Sequence, residues 1–286
     1  MTSMLRQASV GAAHDLARSV ARHLEDRLGV DVLPRRYWSP IPSSLPDTVW
    51  DAPSLLAGLT LDLPGQTRLL DRLRPLMPAE TDPLTQSSWY GGDDARTLYA
   101  IIRHLRPKRV VELGSGHSTE IIRAATARDR LEMDHRVFDP FPGFTGPQLE
   151  MIEPVAATDV RMDVFAALDP GDVLFVDTTH TVKTGGDVNR VILDVLPTLR
   201  PGVWIHFHDI FLPYEYPREW VLEKHLYWAE QYLLQAFLAF NRAFEVRLAC
   251  HALARAGKLS GRPGAFWIER VDGADAPVPS GSSHPR

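Results

Sequence analysis

Two short runs hold the residues best suited to chemistry in this chain of 286 residues. Asp177 and His180 close "DVLFVDTTH", and His206, His208 and Asp209 lie in "GVWIHFHDI". Imidazole changes charge near neutral pH, and a neighbouring carboxylate orients it or stabilises its cation. His180 is therefore the expected general base, with His208 the second choice and Asp209 as carboxylate partner. The same groups are metal donors: carboxylates suit magnesium, and added imidazole suits zinc, manganese or iron. Asp177, His208 and Asp209 are among the groups of this cluster that could coordinate a divalent metal. Side chains alternate along a strand, so His206 and His208 share one face and Asp209 takes the other unless the chain bends. For each histidine the competing role is a buried ring hydrogen-bonded to backbone.

A third run, "RVVELGSGHSTEII" at 109–122, passes from a short apolar segment through two glycines into a helical pattern. Glycine lets the backbone turn sharply and approach a ligand, while amides at a helix start favour a negative group. Glu112, Gly114, Ser115, Gly116, Ser118 and Thr119 are thus candidate ligand contacts, the last two also as N-caps. A dinucleotide fingerprint needs a third glycine where Thr119 stands, and no Gly-Lys-Ser/Thr run follows to make a Walker loop. Asp139, in "RVFDPFP", ends the next expected strand and suits a ribose diol. Asp163, after the run "DVRMD", is placed to meet an adenine amino group or to serve as a turn aspartate.

These runs need a scaffold. From Arg109 the pattern alternates: "RVVELG", a helix over 118–128, "RVFDP", "DVRMD", "DVLFVD", a helix over 186–199, "GVWIHFHDI", a helix over 218–241, "FEVRLAC" and "AFWIERV". Short apolar, β-rich runs separated by helices indicate an α/β fold with a mostly parallel sheet and helices on both faces. The last two runs add an antiparallel C-terminal edge. Upstream, helices are expected over 66–76 and 93–106, and an amphipathic helix over 4–28. "LPRRYWSPIPSSLPDTVWDAP" is a proline-punctuated loop. The expected organisation is an N-terminal helical extension over 1–80, the α/β domain over 81–271 and a disordered tail over 272–286.

Composition narrows the function classes. Net charge is -5 with acids and bases interspersed, so no nucleic-acid footprint is expected. No long apolar span or secretory leader is seen, which points to a cytoplasmic protein without a membrane partner. The single Cys250 excludes an internal disulfide framework and a cysteine-based zinc site.

"VVELGSGHST", "FDPFP", "DVLFVDTTH" and "GVWIHFHDI" follow the order and spacing of class I S-adenosylmethionine-dependent methyltransferases, which the chain resembles. It is closest in pattern to a bacterial branch with a Glu-x-Gly-Ser-Gly-x-Ser-Thr first motif, an Asp-Ser-Ser-His motif after strand four and a His-Phe-His-Asp-Ile strand five. "SSWYGGDDARTLY", "RYWSPIP" and "FLPYEYPREWV" also resemble that branch, so the likeness covers roughly residues 36–270. Asp177-Thr178-Thr179-His180 departs from the Ser-Ser form but keeps both hydroxyls, and Trp204 replaces a smaller aliphatic residue. The resemblance implies a Rossmann-like fold and bound S-adenosylmethionine, with Gly114, Ser115 and Gly116 against its methionine portion and Asp139 on its ribose. It implies methyl transfer to a small-molecule acceptor, with His180 or a divalent metal assisting deprotonation. The segment "FLPYEYPREW" reads as a lid whose Tyr214, Glu215 and Tyr216 supply acceptor contacts, and Glu230, Gln231 and Tyr232 either face the pocket or pack in the core. The N-terminal extension would cap the acceptor site or mediate homodimerisation. Metal-assisted hydrolysis or oxidation on the same fold, and non-catalytic ligand binding, are the competing readings.

Overall fold

The computed structural model describes residues 27–28, 39, 41–42, 45–143 and 151–273. The chain divides into two compact units, Met1–Asp47 and Thr48–Arg286. The helix expected over 4–28 lies outside the described residues except for its last two, as does the tail beyond Gly273.

In the larger unit, seven strands form one sheet: β1 (Arg109–Leu113), β2 (Asp134–Phe138), β3 (Ile152–Glu153), β4 (Val173–Val176), β5 (Trp204–Phe207), β6 (Phe244–Ala249) and β7 (Phe266–Arg270). Their order is β3-β2-β1-β4-β5-β7-β6. The first five run parallel to one another, and β7 is antiparallel to both β5 and β6. This is a Rossmann-like α/β fold with an antiparallel edge. β4 and β5 are buried at every position, as strands covered on both faces must be, which is why they read as unbroken apolar runs.

Helices α1 (Leu63–Leu73), α2 (Gly92–Leu105) and α3 (His117–Asp129) accompany the first half of the sheet. Leu98, Ile101 and Ile102 recur at helical spacing on α2 and are fully buried. That helix ends where Arg106 turns to φ 53° ahead of Pro107. Leu69, Leu70 and Leu73 of α1 share a core with α2, β4 and Trp267. The larger compact unit starts at Thr48 and so includes α1.

The second half carries α4 (Met162–Ala166), α5 (Asp187–Asn189) continuing as a π-helical run (Arg190–Val195) and a 3-10 turn (Leu196–Thr198), α6 (Arg218–Leu222), α7 (Glu230–Leu238) and α8 (Cys250–Arg255). Two expectations are corrected here. "DVRMD" is not a strand, the third strand being Ile152–Glu153. The helix expected over 218–241 is broken: the carbonyl of His180 accepts the amides of Ala229 (3.0 Å) and Glu230 (3.2 Å), which starts α7 afresh. Cys250 is buried at the start of α8.

Candidate active site

β1 and β4 lie side by side, with β2 and β3 leaving to one flank and β5 to the other. In open α/β sheets such a reversal of strand order opens a crevice at the carboxyl ends of the strands. Leu113 pairs with Val176, so the next residues, Gly114 and Asp177, meet across the crevice, and the Asp177 amide donates to the Leu113 carbonyl at 2.9 Å. Gly114 has φ 87°, and a Cβ there would stand 1.9 Å from the Asp177 carbonyl oxygen. Only glycine passes at that point.

One Asp139 oxygen accepts both the amide (2.8 Å) and hydroxyl (2.7 Å) of Ser115, and the other accepts the Phe141 amide at 2.8 Å. The loops after β1 and β2 are thus tied by a single carboxylate. Glu112 is 0% exposed and fully engaged: one oxygen accepts the hydroxyls of Ser118 (2.7 Å) and Thr119 (3.0 Å), the other faces His135 Nε2 at 2.8 Å. α3 starts at His117 with Gly116 at its N-cap, so Ser118 and Thr119 stand in its first turn instead of capping it; the Gly116 amide donates to Thr119 Oγ1 at 3.2 Å. Glu112, Ser118 and Thr119 form a buried frame beneath the glycine loop.

Asp163 does not join this crevice. It is exposed on α4, its carboxylate paired with Arg161 at 2.7 Å, in a separate cleft with Arg109 and Asp134 from the amino ends of β1 and β2. With no strand in "DVRMD" to end, it has no strand-end position, and the expected adenine contact is withdrawn.

Past β4 and β5 the reactive groups converge. His180, at φ 54°, points Nδ1 to Glu230 Oε2 at 2.8 Å and Nε2 to Asp177 Oδ1 at 3.2 Å and Asp209 Oδ2 at 3.7 Å. His208 Nδ1 lies 3.4 Å from Asp177 Oδ2 and 3.6 Å from Asp209 Oδ2, and its Nε2 lies 3.7 Å from Asp94. Strand parity alone would set Asp209 on the far face; instead the chain leaves β5 after Phe207 and turns at Asp209 (φ 56°). The bend brings Asp209 back to both imidazoles. Asp177, His180 and Asp209 each present a donor atom within 4.8 Å of the others, close enough together to hold a metal ion.

Electrostatics follow from this crowding. Burial opposes a charged His180, yet the hydrogen bonds its ring donates to Asp177 and Glu230 push its pKa up to about 10. Burial is likewise outweighed at His208, which the charges of Asp177 and Asp209 hold well above the usual histidine range. Burial would raise Asp177, but the two imidazoles hold it well below the usual carboxylate range. Burial lifts Asp209 and Glu230. His206 behaves in the opposite way: fully buried, stacked on Phe175 at 4.2 Å and bonded through Nε2 to the Tyr90 hydroxyl at 3.1 Å, it is held neutral by burial. It belongs to the core.

A cleft of about 800 Å³ opens over His208 and Asp209, lined further by the loop from Ser87 to Asp94, by Trp220 to Trp228 and by Ser260 to Gly264. Asp94 secures its far wall, accepting the amides of Gly264 (2.9 Å) and Ala265 (2.8 Å). Tyr214, Glu215 and Tyr216 do not line the cleft, correcting the expected acceptor contacts. Tyr216 is buried and its hydroxyl accepts the Gln231 amide at 3.0 Å, while Glu215 bonds Tyr232. Gln231 in turn takes the Phe211 amide (3.1 Å) on its side-chain oxygen, fixing the segment after β5. Sequence reasoning left Glu230 and Gln231 undecided and gave Tyr90, Asp94 and Trp228 no role. Trp228 packs tilted against the His180 ring, centroids 4.3 Å apart, and Tyr90 likewise against His208 at 4.6 Å. The only signal for the first two was a polar pair heading an otherwise apolar helix.

A strand-loop-helix crevice at a switch point, with an acidic-imidazole cluster beside it, defines an α/β enzyme of the nucleotide-binding kind. Residues 111–210, which span this site, match the family model described as a methyltransferase domain. No curated protein matches the chain significantly in sequence. Among solved structures it is similar to CmcI in an apo form (17% identity, 78% of this chain and 90% of that one, TM-score 0.42). It is also similar to the Podospora anserina methyltransferase PaMTH1 bound to SAH (16%, 75% and 98%, 0.39) and to a Bacillus cereus O-methyltransferase in complex with SAH (13%, 89% and 97%, 0.30). Among the described residues no helix is long and apolar enough to cross a membrane.

Proposed function

We propose that this chain transfers the methyl group of S-adenosylmethionine to a hydroxyl of a small molecule held in the cleft. One observation carries the reading: the glycine turn packed on the Asp177 carbonyl and the Asp177–His180–Asp209 cluster share one switch point, and the cleft opens on the other side of that cluster. The methyltransferase-domain match over these residues supports it. A cleft of about 800 Å³ is of small-molecule size.

In this reading Gly114, Ser115 and Gly116 receive the methionine portion of the donor and Asp139 its ribose, on the frame built by Glu112, Ser118 and Thr119. The acceptor oxygen attacks the methyl carbon in line with the departing sulfur, so one C–O bond forms as the C–S bond breaks and the thioether is released. The donor is already activated, and the protein has to align the two reactants and take one proton.

The donor set suits a divalent cation. Two carboxylates and an imidazole nitrogen converge, and Glu230 receives the Nδ1 proton of His180, which aims the Nε2 lone pair at the cluster. Asp177, Asp209 and His180 would hold the ion, with His208 against the same carboxylates. Bound there, a cation supplies Lewis acidity that lowers the pKa of an acceptor hydroxyl. Both imidazoles are protonated at neutral pH while the carboxylates lack another counter-charge, so neither is then a base. His180 serves as a ligand, and His208, which lines the cleft, takes the acceptor's proton once the carboxylates are neutralised.

Calorimetric titration with S-adenosylmethionine and its demethylated product, each with EDTA and with added magnesium or manganese, tests this. Micromolar donor binding and a separate cation isotherm abolished by Asp177→Asn are expected. Absence of donor binding under all conditions overturns the methyl-transfer reading, and an unchanged cation isotherm in Asp177→Asn overturns the metal assignment.

A further inference from the structure

The cleft over His208 and Asp209 is lined by aromatic side chains and carries more cations than free acids at its rim. Phe211, Trp220 and Trp228 make a continuous aromatic wall, with ring centroids 5.4 Å apart for the first pair and 5.2 Å for the second. That wall runs into the reactive cluster, since Trp228 also packs, tilted, against the His180 ring with centroids 4.3 Å apart. Trp89, on the loop preceding α2, lines the same cleft while 89% exposed. An apolar ring left that open, beside other rings, is a stacking surface for a flat ligand.

Charge at the cleft is selective in the same way. Asp93 and Asp94 line it, but their carboxylates are already engaged, the first by Arg96 (2.6 Å) and the Ser260 amide (2.6 Å), the second by the Gly264 and Ala265 amides. Asp209 faces the two imidazoles. Arg262 is bound to Glu219. Lys224 is exposed, its Nζ 5.7 Å from the centroid of the Trp220 ring, and it shares the single carboxylate of Glu219 with Arg262, so the rim keeps a net positive charge. A ligand stacked on the tryptophans thus meets a positive group at the rim and the Asp209–His208 edge at the floor.

We propose that the acceptor is a hydroxylated aromatic carboxylate, its ring between the tryptophans, its acid group on Lys224 and its hydroxyl at Asp209 and His208. This rests on the methyl-transfer reading for what happens to the hydroxyl; the binding preference stands on the cleft alone. Phosphate esters and sugars fit less well, since the first would need more than one cation and the second does not use so much aromatic surface.

The test compares three flat ligands of one size and different charge: a dihydroxybenzoate, catechol and dopamine. Each is titrated into the full chain by tryptophan fluorescence, with and without the demethylated donor and with magnesium present. The acid should bind about tenfold more tightly than catechol, and dopamine should bind most weakly. Lys224→Gln should bring the acid to the catechol level while leaving catechol unchanged, and Trp89→Ala should weaken acid and catechol alike by about tenfold. Equal affinities across the series, preference for the amine, or no binding of any of the three overturns the acceptor class. So does a preference for the acid that survives Lys224→Gln. Loss of donor binding with the acid preference intact would instead remove the methyl-transfer reading and leave an aromatic-acid site.

Discussion

Replacing Gly114 with alanine tests the crevice most directly. The residue sits at φ 87°, and the added Cβ would lie 1.9 Å from the Asp177 carbonyl oxygen, against roughly 3 Å for the tightest contact a methyl carbon tolerates. The left-handed backbone alone costs about 1–2 kcal/mol in a non-glycine residue. Relieving the contact forces the β1 and β4 ends apart by about 1 Å, for which overpacking costs of about 1–3 kcal/mol are typical. The total, about 2–5 kcal/mol, is large beside ordinary domain stability. Because the displaced backbone belongs to Asp177, the reactive cluster moves with it, and misplacement by about 1 Å can reduce turnover by about 10². Gly116 is the internal control. Its φ of 168° is ordinary extended backbone, and a Cβ there meets nothing within 4 Å. Urea denaturation of Gly114→Ala and Gly116→Ala, with donor calorimetry on both, should show a lowered midpoint and weakened donor binding for the first. The second should keep the parent's midpoint. Equal midpoints for the two variants would refute the packing argument, because it rests on a contact that only one of them makes.

Glu112→Ala strands the Ser118 and Thr119 hydroxyls and His135 in a fully buried site, so a loss of about 3–5 kcal/mol in urea-derived stability is expected, and a loss below about 1 kcal/mol would mean that water replaces the carboxylate. Glu230→Gln removes the anionic acceptor of the His180 Nδ1 proton, which should weaken manganese binding by about 10–100-fold in calorimetry while leaving donor affinity unchanged; undiminished manganese affinity would detach Glu230 from the metal assignment. His251, buried against Phe211 and Tyr214, is held down to about 4 by burial and then by Arg255. The unfolded chain binds its proton from about pH 6.5 downward while the fold does not, so stability falls as pH drops from about 6.5 to about 4. The contribution is on the order of 2 kcal/mol after solvent screening, and His251→Gln should flatten this part of the pH dependence of the melting temperature; an unchanged slope would assign it to other groups.

The fold was legible because its signals are local. Apolar runs buried on both faces read as strands whatever their neighbours: β1, β4, β5, β6 and β7 all fall within the runs that the pattern marked, and β2 overlaps its run but starts two residues earlier. The glycine turn was legible for a related reason: a backbone that must pass the Asp177 carbonyl admits one residue type, and that restriction is written at Gly114 itself. Where a long apolar helix stops is not local. The pattern over 218–241 has no breaker strong enough to mark Ala229, because the interruption comes from the His180 carbonyl, nearly fifty residues earlier. Asp163 misled for the converse reason, since "DVRMD" has a strand's alternation without a neighbouring strand to pair with.

The reactive residue types were likewise set by sequence: Asp177, His180, His208 and Asp209 at two strand ends. Tertiary structure alone decided their states. Glu230 reaches His180 only because α7 starts on the His180 carbonyl, and it is this carboxylate, with Asp177, that turns an expected base into a cation or a metal ligand. The turn at Asp209 defeats strand parity and completes the cluster. Protonation and ligand geometry depend on distances between groups far apart in the chain, and a linear sequence carries the groups but not those distances.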